Sequence, residues 1–153
     1  MGRQALNRVM APPPRQTSTI HATCVAIDGH GVLLLGPSAA GKSDLALRLI
    51  DRGARLVADD RCELADMDGR LLCAPPETIA GKIEVRGIGI VARPWTAPVA
   101  VRLAVRLTER TERMPDPAIE ELAGHVLPAV RINAFEASAP IKVELALAQA
   151  VGA

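Results

Sequence analysis

The segment Gly36-Pro37-Ser38-Ala39-Ala40-Gly41-Lys42-Ser43 fits the pattern G-x-x-x-x-G-K-[ST] in full. Residues of these types at this spacing hold phosphate. Successive backbone N–H groups and the positive end of the helix that follows point at the oxygens, the lysine reaches the β- and γ-phosphates, and the serine hydroxyl helps to hold Mg2+. Chance produces such an octapeptide in a chain of this length well below about 1% of the time. Asp59-Asp60 stands further along. One carboxylate beside such a loop attends Mg2+ in many P-loop proteins. A second permits a division of labour, with one acid near the metal and one taking a proton from an attacking hydroxyl. The second Asp also reads as a plain turn residue at a strand end.

Two features have weaker local signals. Glu84-Val85-Arg86-Gly87-Ile88-Gly89-Ile90 reads as a strand with bulges. It also reads as a substrate-contacting edge, because Glu and Arg point to one face beside glycines that admit close backbone approach. His21, at the start of the first apolar strand, reads on its own as a structural histidine.

The elements that must position these residues follow from patterning. His21 to Ile27 is apolar and β-branched, Asp28-Gly29-His30-Gly31 has turn chemistry, and Val32 to Leu35 is continuously apolar. That combination predicts a hairpin whose second strand is buried on both faces. After the glycine loop, Leu45, Ala46, Leu49 and Ile50 recur at helical spacing, and Gly53 sits where the helix stops. Arg55 to Ala58 is a further buried strand, ending in the Asp pair at the same end of a parallel sheet as the loop. Cys62 to Leu64 and Leu71 to Cys73 flank the hairpin signal Asp68-Gly69. Val99 to Leu107 alternates apolar residues with Arg102 and Arg106, which suits a half-exposed strand. Thr108 to Pro117 is a loop by composition, and Ser138-Ala139-Pro140 opens a closing helix to about Ala150. Residues 1–18, with prolines at 12 to 14, read as a flexible tail. Residues 19–153 read as one domain.

Composition narrows the function. Hydrophobic residues make up 49% of the 153, aromatics only 1%, with Trp95, Phe135 and no tyrosine. The core must be built from Leu, Val, Ile and Ala. No aromatic platform for single-stranded nucleic acid and no aromatic cage for ammonium ligands is available. Neither ring falls inside a motif, so ATP should be held mainly by its phosphates, with weak discrimination among triphosphates. Lys+Arg at 18 against Asp+Glu at 17 leaves no global field for a nucleic acid or an anionic membrane. Cys24, Cys62 and Cys73 form no C-x-x-C pair and read as buried free thiols of a reducing compartment. His21-x-x-Cys24 lacks the second pair that a zinc site needs. No apolar run approaches the roughly 18 residues of a membrane span. With no signal-peptide pattern at its start, the chain is expected in the cytoplasm.

Together these residues resemble the catalytic domain of the bacterial HPr kinase/phosphorylase family, serine kinases that modify the phosphocarrier protein HPr. The resemblance runs in detail from about His21 to Arg93. A histidine opens the strand before the phosphate loop, Arg52-Gly53-Ala54-Arg55-Leu56-Val57-Ala58-Asp59-Asp60 matches R-G-x-R-L-V-A-D-D, and Glu84 to Ile90 matches E-I-R-G-L-G-I. The resemblance implies an α/β P-loop fold similar to the nucleotide-binding part of phosphoenolpyruvate carboxykinase, a central mixed sheet with flanking helices. It implies ATP and Mg2+, an HPr-like protein substrate, control of the phosphotransferase system and carbon metabolism, and a ring-like homo-oligomer. Asp60, with Asp59 beside it, would accept the proton of the substrate serine, and His21 would orient that carboxylate. Lys42 would stabilise the transferring phosphoryl group, Ser43, Asp59 and Glu84 would hold Mg2+, and residues Glu84 to Gly89 would contact substrate. Arg113, in the charged loop, would complete the site. The arginine- and proline-rich C-terminal segment tied to the reverse phosphorolysis in that family is not recognisable, and Pro128 to Asn133 stands in its place. The loop carries Ala39-Ala40 where longer relatives place Gly and an aliphatic residue, which restricts one φ. The phosphate loop and the acid pair alone would also serve a small-molecule kinase or a nucleotide sensor. The Glu84 to Ile90 signature separates the first of these from a protein kinase, and the acid pair argues against the second.

Overall fold

The computed structural model of the chain describes residues 17–152. Strands β1 (Thr17–Ile20), β2 (Ala22–Ile27) and β3 (His30–Leu35) are followed by helix α1 (Lys42–Asp51) and β4 (Arg55–Ala58). Two hairpins come next, β5 (Cys62–Met67) with β6 (Arg70–Ala74), then β7 (Lys82–Val85) with β8 (Gly89–Ala92). The long β9 (Val99–Leu107), the hairpin β10 (Ala118–Leu122) and β11 (His125–Ile132), and helix α2 (Ala139–Gly152) complete the chain. Of the expected tail, only Thr17 and Ser18 lie within the described residues, and both belong to β1, which pairs with β5.

Among the described residues nine strands form one sheet, in the order β1-β5-β6-β9-β3-β2-β4, with β11 also on β9 and β10 on β11. The sheet is mixed. β3 lies parallel to β9, whereas β2 is antiparallel to both β3 and β4. The phosphate-loop strand and the strand of the Asp pair therefore run in the same direction, as expected, but β2 stands between them and the sheet is not a parallel one. β9 is central rather than half-exposed. On one edge its start pairs with β6 and its end with β11, and β3 occupies the other edge. Of its two arginines, Arg106 is half-buried and paired with Glu120 at 2.6 Å.

Alternation along the strands divides the core in two. Val32 and Leu34 face α1 and α2, joining Leu45, Leu49, Leu103, Val105, Val143 and Leu147. Leu33 and Leu35 face the opposite side with Leu64, Leu71, Val99 and Val101. Neither cluster contains an aromatic residue. Cys24, Cys62 and Cys73 are free and buried in the second cluster, as expected, and burial pushes the Cys24 thiol well up. No helix among the described residues is long and apolar enough to cross a membrane.

Local rules account for most of the turns. Asp28-Gly29 and Asp68-Gly69 both adopt positive φ at both central positions, the primed turn that matches strand twist. Helix α1 ends as Gly53 predicts. The Gly53 N–H reaches Ile50 O and the Ala54 N–H reaches Leu49 O, both at 3.0 Å, in a Schellman arrangement. Arg52 then grips Glu144 of α2 through two bonds of 3.0 and 2.8 Å, which ties the two helices together. The hairpin β10–β11 is not expected from the sequence. Its turn is Ala123-Gly124, with Ala123 at φ +50, and Pro128 lies within β11. Alanine gives no turn signal, and proline argues against a strand that lies between two others.

Candidate active site

The loop from Gly36 leaves β3 and enters α1 through a short 3-10 turn, Ser38–Ala40. Gly41 adopts φ +92, and a side chain there would meet Ala134 Cβ at 3.1 Å and the Phe135 ring at 3.3 Å. Only glycine satisfies both conditions. Ala39 and Ala40 are not among the residues with positive φ, so neither incurs the restriction expected of them. Lys42 is buried, and its Nζ donates to Gly36 O at 2.7 Å and Pro37 O at 2.9 Å. One of its three N–H groups remains for the cleft that Lys42 lines.

The two acids of the pair have different surroundings. Asp59 is 6% exposed and is the acceptor at the centre of three elements. Its Oδ1 takes the Ser43 hydroxyl at 2.6 Å and the Thr23 hydroxyl at 3.1 Å, and its Oδ2 takes the Glu84 backbone N–H at 2.9 Å. Asp60 turns outward, with a side chain 58% exposed whose Oδ1 lies 2.9 Å from His21 Nε2. Its backbone is at φ +69, and the Arg61 N–H bonds back to Asp59 O at 2.8 Å, closing a γ-turn of the rare positive-φ kind. Asp tolerates this conformation better than most residues. The Asp60 N–H, donating to Thr23 Oγ1 at 3.1 Å, helps to hold it.

Thr23 is the residue that sequence reasoning missed. It is the one polar side chain facing inward from β2 at this point, fully buried, and it joins the two acids by donating to one and accepting from the other. A hydroxyl in a β-branched run gives little signal by itself. Replacing Thr23 by Val keeps the shape but leaves the Asp60 N–H unpaired, a loss of about 1–3 kcal/mol of stability. Turnover should fall by roughly 10- to 100-fold, as for other groups that orient a site. Thermal unfolding and steady-state rates check both, and Thr23→Ser should recover them. A loss in Thr23→Ser equal to that in Thr23→Val would show that the hydroxyl alone does not carry the effect.

Residues Glu84 to Ile90 form neither a bulged strand nor part of the main sheet. They form the turn and flanks of the separate β7–β8 hairpin, with Ile88 N–H on Val85 O at 2.9 Å and Gly87 at φ +88. Trp95 lies against Gly81 at the base of the hairpin, where a Cβ would meet Trp95 Cδ1 at 2.7 Å. Glu84, Val85 and Arg86 line the cleft, whereas Gly87, Ile88 and Gly89 make the exposed tip beyond it. Arg113 lies in the exposed 108–117 loop and is not among the residues lining the cleft. The arginine that does line it is Arg86.

The cleft has a volume of about 650 Å3 and brings His21, Lys42, Ser43, Asp59, Asp60 and Glu84 to one wall. Its carboxylate and hydroxyl oxygens suit a hard cation such as Mg2+, which is held by one or two carboxylates plus substrate phosphates rather than by a cage of protein ligands. No cluster of three or more His, Cys, Asp or Glu that could hold a metal ion occurs among the described residues.

The family model described as HPr Serine kinase C-terminal domain matches residues 15–94, which include this whole wall. The HPr kinase/phosphorylase of Clostridium beijerinckii is 44% identical over 82 residues, 54% of this chain and 26% of that protein. That of Clostridium tetani is 42% identical over 89 residues, 58% of this chain and 28% of that protein. The matched stretch thus spans about a quarter of the length of these curated relatives. Among solved structures, the Hpr(Ser) kinase/phosphatase from Coxiella burnetii superposes with a TM-score of 0.75 at 29% identity, over 86% of this chain and 89% of that one.

Proposed function

The chain belongs to the HPr serine kinase C-terminal domain family, and from that premise we propose that it is an ATP-dependent protein serine kinase acting on an HPr-like phosphocarrier. The observation that carries this reading is the split of the acid pair. Asp59 is buried and spent on Ser43, Thr23 and the β7–β8 hairpin, while Asp60 is open to the cleft mouth and oriented by His21. A carboxylate so exposed can reach a serine presented by another protein.

In the proposed reaction the serine oxygen forms a bond to the γ-phosphorus as the bond to the β,γ-bridging oxygen breaks. The serine proton passes to Asp60, and ADP leaves. His21 holds Asp60 in place, and Lys42 together with the loop N–H groups faces the charge that moves onto the phosphate oxygens. Ser43, Asp59 and Glu84 would hold Mg2+. When bound, that ion neutralises phosphate charge and orients the triphosphate. Arg86, from the cleft wall, supplies the second protein cation in place of Arg113.

A protein rather than a metabolite as acceptor is supported by the hairpin tip. Ile88 and Ile90 are 78% and 65% exposed beside the cleft, an apolar patch that a small molecule has no use for and a docking protein covers. Incubating the protein with ATP, Mg2+ and the HPr-like protein of the same organism should add one phosphate to a serine, read by mass. Phosphorylation of a metabolite panel with none on that serine would overturn the reading in favour of a small-molecule kinase.

A further inference from the structure

Phe135 is 67% exposed, although it is one of only two aromatic residues of the chain. Its loop is nevertheless held firmly from both sides. Arg48 of α1 donates to Ala134 O and, at 3.2 Å, to Glu136 O, and the Phe135 N–H donates to Asn133 Oδ1 at 2.9 Å. The ring is thereby laid against Gly41 of the phosphate loop. An exposed ring on a pinned segment beside a ligand loop is a prepared surface rather than a stray side chain.

A second cavity, of about 310 Å3, opens on the far side of that loop. It is lined by Pro37, Ala39 and Ala40 of the loop, by Leu107 at the end of β9 and by Ala134 and Phe135 just past β11. Ala39 and Phe135 also border the catalytic cleft, so the two spaces adjoin. The sheet order gives the pair a direction. β2 and β4, which bring the acids, lie on one side of β3, and β9 and β11 lie on the other. A triphosphate whose γ end faces Asp60 and Lys42 has the β7–β8 hairpin on the acid side, and the second cavity lies across the loop from it. The cavity is mainly apolar and within the size range of small-ligand pockets, roughly 300–1,000 Å3.

We propose that this cavity holds the base of the nucleoside triphosphate, with Phe135 as the surface on which the base stacks. The proposal rests on the reading of Gly36 to Ser43 as a triphosphate site. It corrects the sequence-based expectation that no ring is available to the base, and it keeps the expected weak discrimination for a different reason. Among the polar groups lining the cavity, the Asn133 amide is already used, Nδ2 on Glu109 O and Oδ1 on the Phe135 N–H, and the Thr108 N–H is bonded to Ile132 O at 3.0 Å. The Thr108 hydroxyl and the Glu109 carboxylate, which also line the cavity, are the groups left to meet an edge, so the base is gripped mainly by its faces.

Calorimetric titration with ATP, GTP and inorganic tripolyphosphate, each with Mg2+, tests this. Phe135→Ala should weaken ATP about tenfold, the order expected for one lost base stack. It should leave tripolyphosphate affinity unchanged, and Phe135→Trp should bind ATP as the parent does. ATP and GTP should bind the parent protein within a few-fold of each other. Equal weakening of ATP and tripolyphosphate in Phe135→Ala would assign the ring to propping the loop and overturn the proposal, as would no change in either. Parent protein that binds tripolyphosphate as tightly as ATP would overturn the base site while leaving the phosphate loop intact. Failure to bind either ligand would remove the triphosphate reading itself, and the base site with it.

Discussion

Asp60→Asn is expected to lower seryl phosphorylation by roughly 10²- to 10⁴-fold, the range over which a positioned general base acts, while ATP binding is retained. The substitution suits the local backbone. Position 60 sits at φ +69, and asparagine tolerates the left-handed region as well as aspartate does. The γ-turn, the Arg61 bond to Asp59 O and the Asp60 N–H bond to Thr23 should therefore survive. What is removed is the proposed proton acceptor. Alanine would be a poorer test, because it adds about 1–2 kcal/mol of backbone strain to the chemical loss. Single-turnover transfer of labelled phosphate to the carrier serine, with ATP affinity measured alongside, separates rate from binding. Unimpaired transfer would move the base role to Asp59 or to water.

Asp59→Asn should act differently, lowering rate and nucleotide affinity together, and the affinity loss should be seen only with Mg2+ present. Three donors converge on this carboxylate. Of these the Glu84 N–H cannot turn, whereas the two hydroxyls can. The new amide should therefore keep its oxygen toward Glu84 and point its NH2 at Ser43 and Thr23, preserving the hairpin at a cost on the order of 1 kcal/mol. What is lost is the negative charge beside the Ser43 hydroxyl, on which the cation would depend. A transfer rate lower by two orders of magnitude or more corresponds to the several kcal/mol that a bound cation contributes. In EDTA the parent and the variant should bind ATP equally. A persistent difference without metal would show that Asp59 acts by shaping the loop rather than by holding Mg2+.

These two variants probe adjacent residues with one side-chain chemistry, and their expected divergence shows where sequence reading ends. Asp59-Asp60 permits a division of labour, but which acid could take which part depends on burial. Thr23, Ser43 and the Glu84 N–H surround one acid while His21 meets the other at the surface. None of those partners is near in sequence, and each arrives on a different element. The roles of Arg86 and Arg113 follow the same rule. The resemblance implies Arg113 as the completing cation and places Arg86 in the substrate-contacting segment, and only Arg86 lines the cleft.

What the sequence determined by itself was local. The phosphate loop, the two Asp-Gly turns, the Gly53 helix stop and an aliphatic core follow from the conformations and burial that individual residues prefer, which act over a few positions at a time. Tertiary structure decided the rest. It inserted β2 between the two functional strands, built β10–β11 around an Ala-Gly turn, detached the β7–β8 hairpin and docked it on Asp59. It also carried Phe135 back to Gly41, turning one of two aromatic residues into a neighbour of the phosphate loop. The physical reason is that strand neighbours are selected by which apolar faces can be buried together and which backbone groups can be paired across the whole chain. That selection is invisible to any window of residues short enough to read.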